Sequence, residues 1–125
     1  MFTFHFNFCS FVVFYDIVLG WVAVGPVDET TINFINLIQA DCSKFDFDTI
    51  GPIKLTLLDV DLYLPTKKAL ENTFNATVKG GVIIVDDVRE DNAYDGAHQA
   101  YIEFCNENNM QPNIIGNKCG IIYKI

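Results

Sequence analysis

Residues 79–87 read Lys-Gly-Gly-Val-Ile-Ile-Val-Asp-Asp, and this stretch decides the fold class of the 125-residue chain. Four β-branched residues in a row, apolar on both faces, are typical of a central parallel strand. The Gly-Gly pair ahead of them breaks the preceding segment and lets the chain turn into the strand. The stretch therefore predicts a buried strand over 82–85 with Asp86 and Asp87 at its carboxyl end.

On both sides of this strand, apolar runs alternate with helical patterns, which is typical of parallel strands joined by crossover helices. One helix is predicted to begin near Pro65, because proline is tolerated in the first helical turn. A second is predicted from Asp95, a good N-cap, to about Asn108. The last two strands are separated by the turn at 116–118, which suits a hairpin and is too short for a parallel crossover. The predicted strands are 11–15, 32–38 (less clearly), 53–58, 82–85, 113–115 and 120–124. The fold class is α/β.

Composition indicates one domain, residues 1–125, because half of the residues are hydrophobic and only 19% are charged. The formal net charge of -8 provides no basic field for phosphate backbones, which argues against nucleic acid as a partner. An anionic membrane surface would also repel such a chain, whereas cations would be attracted. The four cysteines are too far apart to close around zinc, so we interpret them as reduced core thiols of a cytoplasmic protein.

The first ten residues form an atypical apolar leader that is rich in phenylalanine and contains no Lys or Arg. A signal peptide would need a basic start. A membrane helix over 8–24 would place Asp16 near its centre, at a cost of about 3 kcal/mol. The aromatic and β-branched run 11–15 favours a buried strand over a membrane segment, and a non-native start is the remaining alternative.

Asp59 follows the predicted strand 53–58 as Asp86 and Asp87 follow the next one. A right-handed crossover makes these carboxyl ends adjacent, and ligands of open α/β sheets bind at that edge. Three carboxylates there would repel one another unless protons or a cation intervened, and Mg²⁺ prefers oxygen ligands. The alternative is that the acids are helix caps or solvated loop residues. Asp61 is a supporting acceptor or a cap, and His98 is a surface residue or, less simply, a base.

The run 57–70, Leu-Leu-Asp-Val-Asp-Leu-Tyr-Leu-Pro-Thr-Lys-Lys-Ala-Leu, followed by 79–87, resembles the macrocin O-methyltransferase family. The family pattern is Asp-x-Asp-Leu-Tyr-x-x-Thr, then Gly-Gly, an apolar strand and Asp-Asp. The final strand at 119–123 and the helix around 96–104 are similar as well. The resemblance therefore covers the C-terminal part of such a protein.

This resemblance implies a Rossmann-like class I sheet, mostly parallel with a C-terminal antiparallel hairpin. It also implies methyl transfer from S-adenosylmethionine to a hydroxyl of a small molecule or sugar, assisted by Mg²⁺ or a similar divalent cation. Asp59, Asp86 and Asp87 fall on the family's metal ligands, and Asp59 is our candidate for the base as well. Upstream, residues 15–21 resemble the segment whose acid binds the cofactor ribose, which would be Asp16. Residues Asp41 and Cys42 fall on the stretch that lines the adenine pocket.

The departure from the family lies before residue 11, where the first strand and a glycine-rich cofactor turn are expected and no matching sequence stands. We therefore expect a sheet lacking its first strand and a chain that is a fragment of such an enzyme. The alternative is a non-catalytic binding or assembly module, in which the apolar leader pairs with another chain, including a second copy of this one. A phosphate-handling α/β domain also places acids at strand ends, but it predicts a further Lys, Ser or Thr at a strand end that is not evident here.

Overall fold

The computed structural model describes residues 10–15, 20–26, 36–50, 52–90 and 95–125, and the side chains of 10–15, 20–26, 36, 37 and 39 are left out of the description. Two α-helices lie within it, α1 at Tyr63–Ala76 and α2 at Gly96–Glu107, together with a short 3-10 helix at Phe47–Ile50. The strands are β1 Ser10–Tyr15, β2 Gly20–Pro26, β3 Asn36–Ala40, β4 Ile53–Asp59, β5 Thr77–Val85, β6 Ile114–Ile115 and β7 Cys119–Tyr123.

The strands form one seven-stranded mixed sheet in the order β3-β2-β1-β4-β5-β7-β6. The α/β class and the antiparallel pair at the C-terminus are confirmed. Among the described strands, parallel pairing is confined to β1 with β4 and β4 with β5, and the other four pairs are antiparallel. The expectation of a mostly parallel sheet therefore holds only for the three central strands. The links after β1 and β2 are shorter than the dozen or so residues that a parallel crossover needs.

The predicted strand at 11–15 is present as β1, and it pairs with β4. It therefore occupies the place of the first strand, which the sequence analysis expected to be missing. Tyr15 pairs with Asp59 on one side and with Trp21 on the other. The backbone groups of β4 that face this side thus find partners within the described sheet. The strand predicted at 32–38 lies further along the chain, at Asn36–Ala40, and β2 was not predicted.

Strand β5 is longer than predicted because the glycine pair lies inside it as a bulge. The strand begins at Thr77, directly after α1, and its register against β4 jumps by several residues before Val82. Gly80 has a φ of 77°, which favours glycine. At Gly81 a Cβ would come within 2.5 Å of the Thr77 side chain. The glycines therefore bend the strand instead of preceding it.

Both helices lie close together, and α1 also packs on β4 and β5. Helix α2 buries Tyr101 and Phe104, and Phe104 meets Phe74 of α1 edge-on at 5.2 Å between ring centroids. On the outer side, Glu103 Oε2 accepts hydrogen bonds from the Tyr63 hydroxyl at 2.6 Å and from Lys67 Nζ at 2.8 Å. These contacts hold α1 against α2, and α1 directly follows the loop after β4.

Within the described residues no helix has the length and hydropathy needed to cross a membrane. The region considered above for a membrane helix contains the strands β1 and β2. Of the described cysteines, Cys42 and Cys105 are buried free thiols, as predicted, and Cys119 is a partly exposed one.

Candidate functional site

Four strands of the sheet, β1, β3, β4 and β5, run in the same direction, since β2 is antiparallel to both of its neighbours. Their carboxyl ends therefore share one edge. Asp41 directly follows β3, Asp59 ends β4, and Asp86 directly follows β5. Asp16 would follow β1 but lies outside the described residues.

The structure brings Asp59, Asp86 and Asp87 together at this edge, with one carboxylate oxygen from each lying within 4.8 Å of the others. The Asp86 N–H donates to the Leu58 carbonyl at 2.7 Å, which extends the β4–β5 ladder past the end of the strand. Asp87 then adopts a φ of 53°, in the left-handed region. This turn directs a second carboxylate from the same loop into the group. We call these three residues the acidic cluster.

The acidic cluster is electrostatically strained. Desolvation by burial raises the pKa of Asp59, and the charges of Asp86, Asp61 and Asp87 raise it further. The ammonium of Lys118 acts in the opposite direction, lowering that pKa. Three partly buried oxygen donors this close together are chemically suited to a hard divalent cation such as Mg²⁺.

Two further groups reach the acidic cluster from the C-terminal hairpin, and neither was predicted as a site residue. Lys118 Nζ lies 3.0 Å from Asp86 Oδ2 and 3.8 Å from Asp87 Oδ1. The Cys119 thiol lies 3.5 Å from Asp86 Oδ1. Burial, followed by the contact with Asp86, raises the pKa of this thiol. Pairing of the hairpin with the strand before Asp86 is the signal that could have revealed both residues.

Asp41 lies on the same edge but apart from the acidic cluster. Three strand spacings, about 14 Å, separate the ends of β3 and β4. Its carboxylate accepts hydrogen bonds from the Ser43 hydroxyl at 2.6 Å and the Ser43 N–H at 3.0 Å, and forms an ion pair with Lys44. The Ser43 hydroxyl and Lys44 are the main reasons why its pKa is lowered to about 2. Cys42 is buried beside it, and burial raises the pKa of that thiol.

The loop after Asp59 is held by α1 and α2. The Thr66 hydroxyl donates to the Val60 carbonyl, and it lies 2.7 Å from the Leu62 carbonyl. Gly96, the first residue of α2, approaches so closely that a Cβ there would lie 2.5 Å from the Tyr63 nitrogen and 2.8 Å from the Asp61 carbonyl oxygen. The position of Asp61 is thus set by backbone packing against the start of α2.

A cavity of about 350 Å³ lies beyond Asp87, between the loop after β5, the start of α2 and the hairpin. His98 faces it with 19% of its side chain exposed, and its Nε2 lies 4.0 Å from Glu90 Oε1. His98 is therefore adjacent to the acidic cluster's loop but is not one of its members. The lining residues are Val88, Arg89, Glu90, His98, Ile114 and Asn117.

Comparison with solved structures shows the class of fold. The chain matches the apo structure of CalS11, described as TDP-rhamnose 3'-O-methyltransferase, an enzyme in calicheamicin biosynthesis. The TM-score is 0.54 with 20% identity, covering 69% of this chain and 39% of that one. A second CalS11 structure, described as calicheamicin methyltransferase, gives the same TM-score and identity, with 69% of this chain and 36% of that one covered. The chain thus spans about two fifths of that protein's length, and its fold is part of a methyltransferase fold.

The family model of Macrocin-O-methyltransferase (TylF) matches residues 41–123, which is well over half of the chain. This chain belongs to that family. The match contains the acidic cluster, both helices and the terminal hairpin. No curated protein sequence matches the chain.

Proposed function

We propose that this chain carries the acceptor-binding and metal-binding residues, together with part of the cofactor pocket, of an S-adenosylmethionine-dependent O-methyltransferase that acts on a hydroxyl of a sugar or other small molecule. The observation that carries the proposal is the convergence of three carboxylates, from the ends of two adjacent strands, within 4.8 Å in a member of the macrocin O-methyltransferase family.

Asp59, Asp86 and Asp87 would hold a divalent ion such as Mg²⁺. When bound, such an ion would lower the pKa of the acceptor hydroxyl and orient its oxygen. Asp59 is also our candidate for proton acceptance, because as a ligand of the ion its carboxylate would lie beside the acceptor oxygen.

S-adenosylmethionine would supply the methyl group, and its adenosine end would lie toward β1 and β3. Asp16 is our candidate for the ribose hydroxyls, and Asp41 and Cys42 are candidates for the adenine side. The Asp41 carboxylate is already engaged by Ser43 and Lys44. Its proposed contribution is therefore to hold the turn that lines the pocket. The roughly 14 Å between Asp41 and Asp59 leaves room for an extended cofactor.

The cavity beside Asp87 is our candidate for the acceptor. It is lined by Val88, which directly follows Asp87, and it offers both polar and apolar lining groups, among them His98 and Ile114. A similar structure is that of a methyltransferase described as acting on TDP-rhamnose. A nucleotide-linked deoxysugar is thus a reasonable first acceptor to test.

Calorimetric titration of the chain with S-adenosylmethionine and with Mg²⁺, followed by a methyl-transfer assay with TDP-rhamnose, tests this function. We expect heat from both ligands and incorporation of the labelled methyl group. Asp59→Asn should abolish transfer, whereas Asp46→Asn, which removes an exposed charge on the loop before the 3-10 helix, should not. A folded sample that binds neither ligand would contradict the proposal.

A further inference from the structure

We infer that Lys118 is a tethered cation of the acidic cluster, one that competes with a divalent metal ion for the same carboxylates and leaves when the metal binds. The inference rests on the proposed metal site and adds a residue that sets the affinity and selectivity of that site. It follows from the placement of Lys118, from its exposure and from the charges that surround its ammonium.

The placement of Lys118 is set by backbone geometry. Gly116 and Asn117 have φ values of 62° and 54°, as the two central residues of a type I′ hairpin turn do, and the Lys118 N–H closes the turn on the Ile115 carbonyl at 3.2 Å. The Lys118 carbonyl accepts a hydrogen bond from the Val88 N–H at 2.8 Å. The main chain of Lys118 is therefore anchored to Val88, the residue after Asp87. From this position the Lys118 side chain reaches the carboxylates of the acidic cluster.

The side chain itself is free to leave. It is 49% exposed, whereas that of its nearest partner, Asp86, is only 19% exposed. An ion pair with one exposed partner is weak, because water and salt screen it. The anchored backbone and the long, half-exposed side chain together make a group that returns to the acidic cluster but does not block it.

The charges at the acidic cluster require that the Lys118 ammonium leave when a divalent cation binds. The three carboxylates of the acidic cluster attract positive charge, and the single ammonium of Lys118 contacts two of them, Asp86 and Asp87. A dication among the same oxygens would lie within a few ångströms of Nζ, and the two like charges would repel strongly in this partly buried setting. Metal binding and the Lys118 contact therefore exclude each other.

Titration with Mn²⁺, a hard cation whose free form is measured by electron paramagnetic resonance, tests this exchange. Lys118→Met should bind Mn²⁺ roughly two- to fivefold more tightly than the unaltered chain at low salt, the range expected for loss of one exposed ion pair. Lys68→Met is the matched control, since Lys68 is 56% exposed and pairs with Glu71 on α1. This control removes the same charge and should leave the affinity unchanged. Lys118→Arg should restore the competition.

Thermal unfolding in EDTA provides a second readout. Without metal, Lys118→Met should unfold at a lower temperature than Lys68→Met, because Asp86 and Asp87 lose the ammonium that contacts both of them. Saturating Mn²⁺ should remove most of that difference.

Equal or weaker Mn²⁺ affinity of Lys118→Met relative to Lys68→Met, in samples with native circular dichroism, would overturn the inference while leaving the proposed metal site intact. Absence of Mn²⁺ binding in every variant would overturn both, and the two failures are thus distinguishable. Tighter binding by Lys118→Met that persists unchanged in Lys118→Arg would also count against competition by charge, because arginine keeps the cation.

Discussion

Asp41 and Asp59 end strands on the same edge of one sheet, yet the pKa values of their carboxyl groups are shifted in opposite directions. The pKa of Asp41 is lowered to about 2 by donors that lie next to it in the chain. The pKa of Asp59 is raised, first by burial and then by the neighbouring carboxylates of the acidic cluster. The Asp41 carboxylate stabilises its own turn, whereas the Asp59 carboxylate lies where its negative charge is unfavourable.

The difference teaches what separates a structural acid from a functional candidate. Asp41 has used its hydrogen-bonding capacity locally, as aspartate does in turns. The carboxylate of Asp59 lies close to those of Asp86 and Asp87, which are distant in sequence. A bound cation or a proton reduces the repulsion among them. A group held in an unfavourable environment by the rest of the fold is the better candidate for chemistry.

The largest effect that would test this contrast is on metal affinity. Asp59→Asn should weaken Mn²⁺ binding on the order of a hundredfold, since even altering an outer partner of a metal ligand costs ten- to a hundredfold. Asp41→Asn should leave the affinity unchanged, because about 14 Å separates it from the acidic cluster. Electron paramagnetic resonance titration measures both. Equal losses in the two variants would erase the distinction drawn between them.

A remote packing change should affect the acidic cluster's region and spare that of Asp41. In Gly120→Ala, the new Cβ would lie 2.6 Å from the Tyr101 ring, and such overpacking costs about 1–3 kcal/mol. Strand β7 carries Cys119 and continues from Lys118, so its displacement would disturb the contacts to Asp86. Urea unfolding measures the loss, and Gly116→Asn is a control on the same hairpin, at a position with open space and a φ of 62° that asparagine tolerates. Unchanged stability of Gly120→Ala would contradict this packing.

The pH dependence of stability should carry opposite signs for the two acids. Asp41 has a lowered pKa in the folded state, so its contribution is present above its ordinary pKa of 3.8 and is lost as pH falls to about 2. Asp59 has a raised pKa, so the folded state gains relative stability as pH falls from above that raised pKa toward 3.8. Unfolding curves of Asp41→Asn and Asp59→Asn against the unaltered chain isolate each term. Parallel profiles for the two variants would refute the assignment.

The smallest effect sharpens the explanation for Asp41. Ser43→Ala removes the hydrogen bonds of the Ser43 hydroxyl, the largest single cause of the lowered pKa, and should move the Asp41 pKa from about 2 toward 3.8. The Ser43 N–H and Lys44 remain, so the return should be partial. Carboxyl chemical shifts in an NMR titration report it. No movement would mean that Lys44 and the backbone suffice.

The parts of the fold predicted best from the sequence were those with a local signal. The period and the turn residues predicted α2 and the hairpin, and strand ends placed Asp59 beside Asp86. The glycine pair 80–81 was predicted to precede the strand and instead lies inside β5, because a glycine pair signals a break equally well before a strand or inside it. The antiparallel course of β2 was missed because nothing in its sequence states which neighbour it pairs with. Lys118 was missed for a related reason, since its partners are set by sheet pairing and not by spacing.

The backbone conformation of Asp87 limits which residues can replace it as the sequence changes in evolution. Its left-handed backbone is tolerated by asparagine nearly as well as by aspartate, while longer or branched residues are disfavoured there. An Asn at this position would keep the loop and remove one charge, so the fold would survive the change without any compensating substitution. In a relative of this chain, Asn at the position of Asp87 would therefore weaken the attraction of the acidic cluster for cations while leaving the backbone undisturbed.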